Sequence, residues 1–177
     1  MAKAQHTNKG FTLVEVLTVV AILGIVGAIA VPAMLSWLSN QGIQAAGRDL
    51  YGNLRKAQST AIKENRNCAV RFDGVNGTEG YTVYVDSDRD FNFDPTGDDR
   101  LLAEVKWSQY RNVELDSLVD FPAGIEEAIF FQPNSLPVDA TSAFLTDTRE
   151  IHLTNSTGRK LILTVNISGN ISLTEQL

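Results

Sequence analysis

Val16-Leu17-Thr18-Val19-Val20-Ala21-Ile22-Leu23-Gly24-Ile25-Val26-Gly27-Ala28-Ile29-Ala30-Val31-Pro32-Ala33-Met34-Leu35-Ser36-Trp37-Leu38 is apolar throughout except for Thr18, Ser36 and Pro32. As a helix rising about 1.5 Å per residue it spans roughly 35 Å, enough to cross a bilayer core of about 30 Å. No charged residue occurs from Val16 to Gly47. Upstream, residues 1–10 carry Lys3 and Lys9 and no acid. Cationic flanks stay on the cytoplasmic side, so this pattern predicts one anchor with its N-terminus inside and the following chain outside.

Two readings of the segment compete. Ala28-Ile29-Ala30 matches the small-residue pattern at which a secretory signal peptide is cut. Against cleavage there, the apolar run exceeds the usual 7–15 residues of a signal peptide. Glu15 also stands near its start, and a carboxylate in the membrane costs about 2.5–3.5 kcal/mol on insertion scales. Such a group calls for a partner.

Helical spacing continues past the apolar run. Ile43, Gly47, Leu50, Leu54, Ala57 and Ala61 follow one another at intervals of three and four, with Arg48, Asp49, Arg55, Lys56, Lys63 and Glu64 between them. The pattern predicts one helix from Leu13 to Asn65, stopped by Asn65-Arg66-Asn67. Pro32 removes the donor to the Ala28 carbonyl and predicts a kink. Four segments follow from this reading: 1–10 as a leader, 11–38 as the membrane half of the helix, 39–66 as its amphipathic half, and 67–177 as a β-rich head.

In the head the period changes from helical to alternating. Cys68 to Phe72, Tyr81 to Val85, Leu101 to Trp107, Ile125 to Phe131, Arg149 to Asn155, Lys160 to Asn166 and Ile171 to Thr174 read as strands. Asp73-Gly74, Thr157-Gly158 and Ser168-Gly169-Asn170 are turn signals that predict antiparallel hairpins. Val119–Gly124 and Gln132–Thr148 read as loops. The fold class is therefore α+β, a long N-terminal helix packed on an antiparallel sheet.

Composition removes much chemistry. The 177 residues hold one cysteine and two histidines, so neither an internal disulfide nor a cysteine-based zinc site can form. His152 lies between Ile151 and Leu153 and should point off the apolar face of its strand. No triad and no Walker-type glycine loop is present, and no enzyme or cofactor is predicted. Asp86, Asp88, Asp90 and Asp94 place oxygens at every second or fourth position, a spacing that can wrap calcium. An EF-hand would need Gly where Phe91 stands and Glu where Gly97 stands, so a solvated acidic turn competes with the metal reading. From Asp86 to Arg100 six acids face two arginines, which accounts for −4 of the net charge of −6. That balance opposes a nonspecific grip on nucleic-acid phosphates.

Lys9-Gly10-Phe11-Thr12-Leu13-Val14-Glu15, followed by the apolar run and Pro32, resembles the class III leader of type IV pilins and type II secretion pseudopilins. The resemblance implies that a prepilin peptidase cuts between Gly10 and Phe11, that Phe11 is N-methylated, and that the apolar segment is kept. It further implies that Glu15 pairs with the Phe11 amine of a neighbouring subunit. Ala45-Ala46-Gly47-Arg48-Asp49-Leu50 and Leu54-Arg55-Lys56-Ala57-Gln58-Ser59-Thr60-Ala61-Ile62-Lys63 are similar to the minor pilins of the pseudopilin H and fimbrial T family. Implied partners are other pilins or pseudopilins, met through the N-terminal helix, and an inner-membrane assembly platform. The implied location is the inner membrane, spanned once with a periplasmic head, and then a pilus or pseudopilus. DNA-binding members of the fimbrial T branch carry Gly-Arg-x-Arg near the C-terminus, where this chain has Gly169-Asn170-Ile171-Ser172. A DNA-uptake role is the alternative that this departure disfavours.

Overall fold

The computed structural model describes residues 11–73, 79–94, 96–121 and 127–176. The chain divides into two compact units, Met1–Trp37 and Leu38–Leu177, and the helix α1 (Leu13–Glu64) contributes to both. Its start is a cap: Thr12 Oγ1 accepts from the Glu15 amide at 3.3 Å, which satisfies a donor that the first helical turn leaves open. Its end is a Schellman-type stop, with Asn65 at φ 53° and the Arg66 amide donating to the Ala61 carbonyl at 3.3 Å. The helical run continues through Pro32.

In the first unit every large apolar side chain from Phe11 to Trp37 is exposed. In the second unit α1 buries Ile43, Ala46, Gly47, Leu50, Leu54, Ala57 and Ala61 on one stripe. Two antiparallel sheets receive that stripe. One has the order β3-β2-β1-β5-β6, built from β1 (Asn67–Asp73), β2 (Gly80–Asp86), β3 (Arg100–Lys106), β5 (Ala128–Phe131) and β6 (Pro137–Val138). The other has the order β4-β7-β8-β9, from β4 (Val113–Val119), β7 (Arg149–Asn155), β8 (Lys160–Val165) and β9 (Ile171–Gln176). The helix stripe, Val70, Phe72, Val83, Trp107, Leu115, Ile151, Leu153 and Leu163 form one core.

Three differences from the sequence reading have local causes. β4 escapes the alternating pattern because its register with β7 shifts between Leu115 and Ser117, which turns the later side chains out of phase. Gln132–Thr148 is not wholly loop: Pro137 and Val138 pair with Phe131 and Phe130, and Val138 bridges to Phe144. The Leu101–Trp107 strand begins one residue earlier, and Trp107 opens a 3-10 turn, Trp107–Gln109. The Asp73-Gly74 turn, the start of the Ile125 strand and most of Val119–Gly124 lie outside the described residues. Cys68 is a buried core residue whose Sγ lies 3.1 Å from the Tyr84 carbonyl oxygen, and burial pushes its thiol up to about 12. His152 leaves the apolar face of β7 and meets Glu150 at 2.8 Å.

Candidate assembly site and the acidic loop

Thr12-Leu13-Val14-Glu15 has the sequence form of a capping box, a signal separate from the apolar run and the leader motif. The cap fixes where the helix starts, two residues past Phe11, which is 83% exposed. It also places Glu15 in the first turn, where an acid suits the positive end of the helix dipole. The Glu15 side chain is exposed and has no hydrogen bond or ion pair among the described residues. Thr18 instead turns its hydroxyl back to the Val14 and Glu15 carbonyls, each at 2.9 Å, and so hides its polarity within the helix. The result is an apolar cylinder with one carboxylate and no internal counter-charge. Gly10 lies outside the described residues. Pro32 stands on the same exposed apolar segment, where the Ser36 hydroxyl donates to its carbonyl at 3.2 Å.

The acidic β2–β3 connection is less solvated than its composition suggests. Phe91 and Phe93 fold back onto the sheet face away from α1, at 5.2 Å from Phe130 and 4.6 Å from Tyr84 between ring centres. This second cluster explains why β2 is buried along its whole length. Arg100 pairs with Glu64, Arg66 donates to the Ser87 carbonyl at 2.6 Å and Arg89 donates to the Asn65 carbonyl at 3.1 Å, tying the loop to the end of α1.

Of the four carboxylates singled out from spacing, Asp86 and Asp88 come together, and the third member of their group is Asp99. Asp90 and Asp94 turn to local amides instead, Asp90 accepting from Asn92 at 2.8 Å and Asp94 from Thr96 at 2.8 Å. The gathered oxygens already have donors. Asp86 accepts from the Arg89 amide at 2.7 Å and from Asn67 Nδ2 at 3.2 Å, and Asp99 accepts from the amides of Ser87 and Asp94. Burial pushes the Asp86 carboxyl above the usual carboxylate range. The folded state then binds this proton more tightly than the unfolded chain. Its contribution to stability grows as pH falls from the raised folded value to the unfolded one. Since the loop is closed by its own amides, the melting temperature of the chain should be the same in millimolar calcium and in chelator. A bound ion would raise it, by about 1–3 kcal/mol of stability in good excess.

A capped, exposed, apolar helix joined to a two-sheet head on an amphipathic stripe defines a pilin-like subunit. Residues 5–31 match the prokaryotic N-terminal methylation motif. Residues 46–169 match the family described as type II transport protein GspH, and the chain belongs to that family. The chain is 26% identical to the pilin-like protein PilA1 of Thermus thermophilus over 143 residues, 78% of this chain and 85% of that one. It is 35% identical to the type IV major fimbrial protein FimA of Dichelobacter nodosus over 76 residues, 41% of this chain and 48% of that one. The crystal structure of the type IV minor pilin FimU of Pseudomonas aeruginosa superposes with a TM-score of 0.53, covering 78% of this chain and 92% of that one at 14% identity. That likeness is one of fold.

Proposed function

We propose that this chain is a structural subunit, a minor pilin or pseudopilin, cut by a prepilin peptidase between Gly10 and Phe11 and methylated on Phe11. Its apolar helix leaves the inner membrane to join a helical bundle, in a pseudopilus that supports secretion or in a type IV pilus. The observation that carries this reading is Glu15, an unpaired carboxylate in the first turn of a helix whose large apolar side chains from Leu13 to Trp37 are all exposed. A buried bundle needs a cation there, and the new amine of a neighbour's Phe11 supplies one. The family match and the methylation motif support the same reading. Gly10→Phe tests it, because a bulky residue before the cut should block the peptidase. The variant should accumulate at precursor length in the membrane and be absent from sheared filaments. Filaments that contain uncut Gly10→Phe chain at the wild-type level would contradict the proposal.

A further inference from the structure

Sheet edges expose backbone donors and acceptors that invite pairing with other chains, and proteins protect them with charges, proline, bulges or brevity. Among the described residues, three of the four sheet edges are protected. β3 carries Arg100, Glu104 and Lys106, and its pairing with β2 shifts at Val83–Tyr84. β4 is bulged at Leu115–Ser117 and carries Glu114 and Asp116. β6 has two residues, one of them Pro137. The fourth edge, β9, pairs with β8 in unbroken register from Ile171 to Gln176 and contains neither proline nor lysine. Its one charge, Glu175, is neutralised by Arg159 and also accepts from Gln44 at 3.0 Å.

The phase of the ladder shows which groups are open. The Asn166 amide donates to the Asn170 carbonyl, so Asn166–Asn170 is a hydrogen-bonded pair, and such pairs recur at every second position of an antiparallel ladder. With Thr164 opposite Ser172, Ile162 opposite Thr174 and Lys160 opposite Gln176, Ser172, Thr174 and Gln176 then bond to β8, while the backbone of Ile171, Leu173 and Glu175 points outward. Arg55 Nη2 reaches the Ile171 carbonyl at 3.5 Å from that outward side. Among the described residues, Leu173 and Glu175 have no backbone partner on it.

We infer that the β9 edge accepts an extended strand from another pilin-like subunit of the same filament, an inference that rests on the function proposed above. The position of β9 selects this occupant. It runs beside α1, with Leu173 against Gly47, Glu175 at Gln44 and the β8–β9 turn at Gln58. A subunit packed along α1 therefore meets this edge. Two copies of this chain joined β9 to β9 in antiparallel fashion would point their helices in opposite directions, which a shared membrane orientation forbids. The outer-face side chains Ser172, Thr174 and Gln176 are exposed and uncharged, and suit a partner strand with small or polar residues at alternate positions.

The test is a photo-crosslinking residue at Ser172 of the full chain in cells that build the filament, with adducts identified by mass spectrometry. The expected adduct is a strand of another pilin-like subunit. Glu175→Ala and Glu175→Pro both lose the pair with Arg159, but only proline removes an outward amide, a change that edge strands accommodate. The adduct should persist with alanine and fall roughly five- to tenfold with proline. Gln176→Lys, which leaves the ladder to β8 intact, should weaken it too and decides the matter if the proline variant fails to fold. No such adduct, adducts only with a second copy, or an adduct unmoved by Gln176→Lys would overturn the inference. A wild-type chain absent from the filament fraction would instead overturn the proposed function, and this inference with it.

Discussion

Glu15→Ala is expected to be synthesised, inserted and cleaved as the wild type is, and to be missing from filaments. Glu15 belongs to neither of the hydrophobic clusters of the head, so its loss leaves that core untouched. In the membrane the change even removes an insertion cost of about 2.5–3.5 kcal/mol. In the filament proposed above it would leave a buried amine without its counter-charge, and breaking one member of a buried pair costs about 3–5 kcal/mol. That is a factor of a hundred or more in occupancy, large enough to read on a blot of membrane and sheared-filament fractions. Incorporation at the wild-type level would mean that the pairing does not place this subunit.

Leu54→Ala should do the reverse, lowering the stability of the head while leaving the apolar segment and its carboxylate intact. Leu54 is fully buried in the core that α1 shares with both sheets. Truncating such a leucine costs about 2–5 kcal/mol, because the cavity left behind collapses only in part. Out of a total of roughly 5–15 kcal/mol this is a large share. For a chain of this length it lowers the melting temperature by roughly 4–20 °C. Arg48→Ala, at an exposed position six residues earlier, should stay within about 0.5 kcal/mol of the wild type. A Leu54→Ala melting temperature equal to that of Arg48→Ala would show that α1 is not the spine of this core.

The helix was legible because its signals are long and redundant. The apolar run, the spacing of three and four from Ile43 to Ala61 and the stop at Asn65-Arg66-Asn67 place it at Leu13–Asn65, and it runs Leu13–Glu64. β7 is legible at both ends, since Arg149–Asn155 alternates without a break and is flanked by turn residues. β4 was not legible, because a bulge resets the alternation halfway along it. β6 was too short to show a period, and pairing with β5 makes it a strand. The acidic group was half legible. Spacing finds neighbours along the chain, but the β2–β3 hairpin sets Arg100 opposite Val85 and so returns Asp99 to Asp86. Spacing also gives no sign that Phe91 and Phe93 pack, half-buried, against the sheet. Of the proposed assembly site, Glu15 is visible as a charge at the start of an apolar run and Phe11 only through the family resemblance, while the capping role of Thr12 shows in the structure, where its hydroxyl accepts from the Glu15 amide.

The retained apolar helix is the claim on which the whole account stands, and the mass of the N-terminal peptide tests it most directly. Chain isolated from membranes or sheared filaments should begin at Phe11 and carry one added methyl group on its amine. A chain beginning at Val31, cut after Ala28-Ile29-Ala30, would have lost Glu15 and most of the apolar segment, and would contradict the account.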